Sequence, residues 1–168
     1  MKYILYFLTA IMLQFSIVSC GEKAEKENRK DDFEQNEEMF VSTMQKHLDA
    51  VSNRDLSILE STMSPDGKMQ LILPETEIID GVSGFMEYHK EWFKDSSWTF
   101  ETKILNTNLG DDFGMAITEI IYREPERNGE PYFNRMIVSY DLEKIDGRWY
   151  IIKDHASSVE KSTDKIEN

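Results

Sequence analysis

The second half of the chain alternates apolar and polar residues over long stretches, and a period of two leaves few choices of fold. Trp98, Phe100, Thr102 and Ile104 alternate with Thr99, Glu101 and Lys103 in a first long strand. Asp111-Asp112 follows Gly110 at a turn, and Met115 to Tyr122 forms a second strand, apolar enough to be buried. Asn128-Gly129 marks the next turn, before a third strand from Tyr132 to Ile145. Asp146-Gly147 then makes a tight hairpin into a fourth strand, Arg148 to Ala156, because this pair accepts positive φ at both central positions. Four long strands in such a meander need an apolar layer on one face.

The first half supplies that layer. Phe33, Phe40, Met44, Leu48 and Val51 recur at intervals of seven, four, four and three, which draws one stripe along a helix ending near Asn53. Asp55 is placed to cap a second helix, Leu56 to Met63, by accepting from its free amides. Asp66-Gly67 turns the chain into a short strand of Met69, Leu71 and Leu73, which halts at Pro74. Ser83 is the expected cap of a third helix, with Phe85, Tyr88, His89, Trp92 and Phe93 on one side. The expected fold is α+β: three N-terminal helices packed on a curved, mainly antiparallel sheet. Long strands joined in this way curl and leave a cavity between sheet and helices.

Ahead of this unit, Lys2 is the sole charge before the apolar run Tyr3 to Val18, and Ser19 precedes Cys20, the only cysteine. A positive start, an apolar core and a small residue at the cut are the plan of a secretory signal. The run is short for a spanning helix, which needs about 20 predominantly apolar residues. Ile17-Val18-Ser19-Cys20 also resembles the bacterial lipobox, in which the cysteine is acylated, with palmitate an expected chain, and becomes the first residue of the mature protein. The expectation is a signal peptide over 1–19, an acylated Cys20 with a charged tether over 20–32, a folded domain over 33–158 and a polar tail over 159–168. That places the domain in a bacterial cell envelope, lipid-anchored to a membrane, on the periplasmic or the surface side. A formal charge of −13, or −14 once Lys2 is removed, argues against nucleic acid and against docking flat on anionic lipid. The acyl chains are therefore the expected membrane contact. A basic protein partner remains open.

The order of these elements resembles a family. Arg54-Asp55-Leu56 at a helix start, Gly81 before the third helix, and the closing run Asp146-Gly147-Arg148-Trp149-Tyr150-Ile151-Ile152-Lys153-Asp154-His155-Ala156-Ser157 look like the SnoaL-like group of the nuclear transport factor two superfamily. Gly81 to Asn106 is also similar to the association domain of calcium/calmodulin-dependent kinase II. The resemblance implies a cone-shaped α+β barrel with a pocket between bent sheet and helices, commonly a homodimer packed through the sheet. It leaves activity open, because the same cone hosts isomerases, dehydratases, cyclases and epoxide hydrolases beside domains with no chemistry.

In the enzymes of that superfamily a carboxylate or histidine inside the cone does the work, opposite a second hydrogen-bonding group. Strict alternation places Tyr150, Ile152, Asp154 and Ala156 on one face of the last strand, with Trp149, Ile151, Lys153, His155 and Ser157 on the other. By the resemblance the first set faces the pocket, so Asp154 is either a buried carboxylate or a solvated rim group. Glu119 interrupts an apolar strand; it faces a pocket, or pairs on the surface with Arg135 or Lys103. Tyr140 shares a face with Met136 and Val138 and is a candidate to steady an oxyanion; Tyr88, Trp92 and Trp98 are expected at the cone's mouth. His155 and Ser157 are expected in structural contacts on the outer face, at a dimer seam. No cofactor or metal is expected: His47, His89 and His155 lie on separate elements, and no glycine-rich phosphate loop follows a strand. The first expectation of function is a lipid-anchored domain that binds a small apolar ligand or assembles as a dimer, without catalysis. The second is a small lyase or isomerase in which Asp154 or Glu119 moves a proton near a carbonyl. Intact mass of the membrane-extracted protein checks the anchor: a chain beginning at acylated Cys20 is expected, and an unlipidated chain retaining Met1 overturns it.

Overall fold

The computed structural model describes residues 29–164. The expectations for 1–28 and 165–168, including the signal, Cys20 and most of the tether, lie outside the described residues. The chain divides into a first unit, whose described residues 29–38 are helical, and a second beginning at Met39 that carries all other elements. Phe33, in the first unit, is 46% exposed, so the apolar stripe does not extend to it.

In the second unit, α1 occupies residues 39–53 and buries Phe40, Met44, Leu48 and Val51, each side chain worth about 2 kcal/mol of burial. It ends where Arg54 adopts a φ of 58° and the Asp55 amide donates back to the Ala50 carbonyl at 2.8 Å. A non-glycine residue is held in this left-handed conformation by long-range contacts. Its guanidinium lies 3.7 Å from the centre of the Trp98 ring and donates to the Asp95 and Ser96 carbonyls. Helix α2, Leu56–Glu60, is capped by Asp55, whose carboxylate accepts from the Ile58 amide at 2.9 Å. It stops three residues short of the expected Met63. Beyond it the Thr62 carbonyl accepts from the Ile151 amide, so this backbone is drawn into sheet pairing.

Two short strands follow, β1 (Gln70–Ile72) and β2 (Ile78–Asp80), and then α3 (Gly81–Trp92). Strand β2 was not expected from the sequence. Asp80, rather than Ser83, occupies the N-cap of α3, and its side chain makes no capping bond. Gly81 has a φ of 79° and donates to the Met69 carbonyl at 2.6 Å, which seats the helix start against β1.

The meander consists of β3 (Thr99–Leu109), β4 (Phe113–Arg127), β5 (Glu130–Ile145) and β6 (Arg148–Lys161). Its last two turns are the expected ones, with positive φ at Asn128, Gly129, Asp146 and Gly147. The open six-stranded sheet runs β2-β1-β6-β5-β4-β3, antiparallel except where β1 lies parallel to β6. The mixed α+β class is therefore as expected. Strand β6 continues three residues beyond the expected domain end at 158.

Register shifts bend this sheet and reset which residues face inward. Asp141 pairs with Lys153 but Leu142 with Ile151, so Ile152 is an extra residue in β6. Trp149 and Ile151 thus face the core, while beyond the bulge Asp154 and Ala156 face inward as well. A second shift skips Val159 and brings Lys161 to the inner side, opposite Asn134.

The inner face also dictates Gly114. A Cβ there would lie 2.6 Å from Phe40 Cε2 and 2.8 Å from Leu109 Cβ, closer than such atoms pack. Gly114→Ala is expected to lose about 1–3 kcal/mol of stability through overpacking, read as a lower urea midpoint at unchanged slope.

Candidate functional site

Between the inner face of the sheet and α3 lies a cavity of about 450 Å³. Its walls are mostly apolar, including Leu71, Ile120, Met136 and Val138, with Trp92 on the helix side. Polar groups gather at two places along it.

The inner group centres on Asp154. Tyr140 and Asp154 are directly paired across β5 and β6, and parallel β1 sets Leu71 beside Asp154 on the other side. Asp154 is only 8% exposed, and the Tyr140 hydroxyl donates to its carboxylate. Burial pushes the carboxyl up to about 7, against the smaller opposing effect of that hydrogen bond. Burial and the neighbouring Asp154 charge together push the Tyr140 hydroxyl far above its ordinary range.

Two residues from α3 complete this group. Tyr88 lines the cavity, its hydroxyl pushed up first by burial and then by the charge of Asp154. His89 also lines it, and its Nδ1 lies 2.8 Å from the Phe85 carbonyl. A carbonyl only accepts, so Nδ1 carries the hydrogen and Nε2 the lone pair. Burial lowers the imidazole to about 4, so His89 is neutral where Asp154 is half ionised. The usual order of the two groups is inverted by burial alone.

The outer group lies at the far end of β5. Tyr122 and Lys161 flank Asn134 in register, and Tyr132 follows Arg127 around the β4–β5 hairpin. Arg127 lies 3.5 Å from the centre of the Tyr132 ring and pairs with Glu124, which accepts the Tyr122 hydroxyl at 2.6 Å. Lys161 reaches Glu75 at 3.0 Å, tying β6 to the turn between β1 and β2. Both cations are thus neutralised by carboxylates.

A family model for the SnoaL-like domain matches residues 41–160, most of the chain. The chain belongs to that family. No curated protein matches it. Among solved structures, a hexachlorocyclohexane dehydrochlorinase from Novosphingobium barchaimii aligns at a TM-score of 0.68 and 13% identity, over 79% of this chain and 92% of that one. A ketosteroid isomerase-like protein from Erwinia carotovora aligns at 0.62 and 14%, over 73% and 95%. The association domain of calcium/calmodulin-dependent kinase II from Caenorhabditis elegans aligns at 0.56 and 24%, over 76% and 98%. At such identities the likeness is one of fold.

Several site expectations for this SnoaL-like domain need correction. Glu119 lies on the outer face, 3.3 Å from Arg135 and opposite Lys103 in register, and does not line the cavity. Tyr150 and Ile152 do not line the cavity, because the bulge at Ile152 breaks the alternation that placed them there. Trp98 is buried behind the wall, stacked on Trp92 at 4.4 Å and covered by Arg54. Tyr140 has a single hydrogen, already given to Asp154, so it positions the carboxylate rather than standing ready for an oxyanion. His155 and Ser157 stand exposed on the outer face. Among the described residues, no three His, Cys, Asp or Glu side chains gather in a metal-binding group.

Sequence reasoning missed His89 and Asn134 as cavity residues. Asn134 continues the inward alternation of Met136, Val138 and Tyr140, and His89 sits within the apolar stripe of α3; both signals were present.

The raised carboxyl makes a stability prediction. Folded Asp154 holds its proton up to about 7, whereas an unfolded aspartate releases it near 3.8, so the folded state carries more protons between these values. Its contribution to stability is complete below pH 4 and is lost as the pH rises to 7. Asp154→Asn is therefore expected to melt close to the wild type at pH 4 and to become the more stable protein by pH 8, by on the order of 4 kcal/mol. His47 and His89, both depressed by burial, weaken the fold in the opposite direction as pH falls, but they cancel in the difference. Thermal melts of the two proteins across this range check the sign.

Proposed function

We propose that this SnoaL-like domain binds a small, largely apolar carbonyl compound in its cavity and moves a proton on it, as an isomerase or lyase does. The observation that carries the reading is a buried carboxylate, pushed up to about 7 by burial, facing a mostly apolar cavity. A general base works best when its pKa lies near the working pH. In the proposed step an ionised Asp154 oxygen takes a proton from the carbon next to the carbonyl. That C–H pair moves into the new C=C bond and the carbonyl pair onto oxygen, giving an enolate. The Tyr88 hydroxyl, free of the Tyr140–Asp154 bond, is the group available to donate to that oxygen. Returning the proton to another carbon completes an isomerisation; expelling a leaving group completes an elimination. The family likenesses agree in kind, since one relative in fold is a dehydrochlorinase and another is isomerase-like.

The reading extends to place and assembly. The lipobox-like Ile17-Val18-Ser19-Cys20 supports export and lipid anchoring in the bacterial cell envelope. Phe113, 56% exposed, and Met115 stand on the outer sheet face and support a homodimer through it, as does the association-domain likeness.

The chemistry is tested without knowing the natural substrate, by following loss of α-proton signals from a panel of cyclic, aryl and long-chain ketones in D2O by NMR. Exchange above buffer is expected, rising with pH to a plateau above an apparent pKa near 7. Asp154→Asn is expected to lower it about 10²–10⁴-fold. Ketones that bind but do not exchange would leave a carrier without catalysis.

A further inference from the structure

Resting on that reading of the cavity, we infer that its ligand is an aryl ketone: a flat ring stacks on Trp92 and presents the attached carbonyl to Tyr88 and Asp154. Trp92 ends a column. The Arg54 guanidinium lies 3.7 Å from the centre of the Trp98 ring, and Trp92 stacks on that same ring at 4.4 Å with the planes 15° apart. Two groups this near one ring centre take opposite faces, so Trp98, 1% exposed, is covered on both sides. Trp92 itself is only half-buried and lines the cavity. Among the described residues no second ring lies parallel to it. Tyr88, Phe93 and Tyr122 are tilted by 41°, 43° and 46°, while His89 and Phe100 stand edge-on. The next layer of the column is left to a ligand, and offset stacking of two rings gains more than the area it buries. The platform is also held in advance. Arg54 is fixed by the Asp95 and Ser96 carbonyls, so the stack behind Trp92 is ordered before a ligand arrives.

The spacing joins the ring to the carbonyl. Tyr88 and Trp92 are one helical turn apart on α3, with ring centroids separated by 6.1 Å. A ring lying on Trp92 therefore brings a carbonyl borne directly on it beside Tyr88, whose hydroxyl lies within the field of Asp154. The sheet wall of the cavity is aliphatic at Ile120, Met136 and Val138, which suits the ring's other face. A long alkyl ketone covers that wall equally well but leaves the indole face without a matching plane.

Two matched probes test this by calorimetric titration: 2-acetylnaphthalene and its ring-saturated analogue, 2-acetyldecahydronaphthalene. Burial alone favours the saturated probe, which is bulkier and exposes more apolar surface. The wild-type protein is expected instead to bind the aryl ketone about fivefold more tightly, through stacking. Trp92→Leu is expected to abolish or reverse that preference while still binding the saturated probe. Trp92→Phe, which retains a ring, is expected to keep part of it. The wild-type comparison stands even if a variant fails to fold. Equal affinity for both probes, a preference for the saturated one, no binding of either, or a preference undiminished in folded Trp92→Leu overturns the inference. The proton-transfer reading fails separately: a ring preference without α-proton exchange sinks the catalysis and leaves the ligand class intact, and exchange without a ring preference does the reverse.

Discussion

The single extra residue in β6 is the constraint on which the site depends. Side chains of a strand alternate between faces, so without a bulge Trp149 and Ile151 could not share a face with Asp154. Ile152 takes up the odd position, and both sets turn inward. The first half of the strand then closes the core against α1, where Phe40 meets Trp149 edge-on at 5.1 Å. The second half is free to line a cavity. The bulge also brings residues 153–155 of β6 alongside β1, which walls in Asp154 from the side opposite Tyr140. One local irregularity thus divides a continuous sheet into a packed end and a hollow end.

The hollow end is expensive in a specific way. An ionised carboxylate in an apolar cavity is disfavoured unless hydrogen-bonded, and Tyr140 supplies one bond where an aspartate can accept several. The result is a proton that comes off near neutral pH. A structural role would be served as well by asparagine, which keeps the shape without the charge. An ionisable group that weakens the fold above neutrality is the stability cost that the proposed proton transfer entails.

Much of the architecture was legible from local rules. Asp146-Gly147 and Asn128-Gly129 marked two hairpins because few residues tolerate their backbone, and the stripe from Phe40 to Val51 marked α1 because burial repeats with the helical turn. What was not legible depended on pairing between distant segments. Strand β2 is three residues long and owes its existence to β1, and β1 in turn lies against the last strand of the chain. The bulge was invisible because Ile152 is apolar and suits either face. That one ambiguity displaced Tyr150 and Ile152 from the cavity. Glu119 was readable as far as its two alternatives, and the proximity of Arg135 decides between them.

The inner group distributes its work differently from a reading of residue types. A tyrosine beside a carboxylate suggests an acid next to a base, but a hydroxyl with one hydrogen can serve only one acceptor at a time. Because Tyr140 pairs with Asp154 across the sheet, its hydrogen holds the carboxylate in place and favours its ionised form, so in the proposed step the donor to a substrate oxygen comes from another element. Tyr88 meets that need from α3, on the opposite wall. His89, committed through Nδ1 to the Phe85 carbonyl and neutral in the working range, offers only a lone pair. In the proposed reaction the sheet therefore supplies the base and the helix the donor, which requires a substrate lying between the two layers.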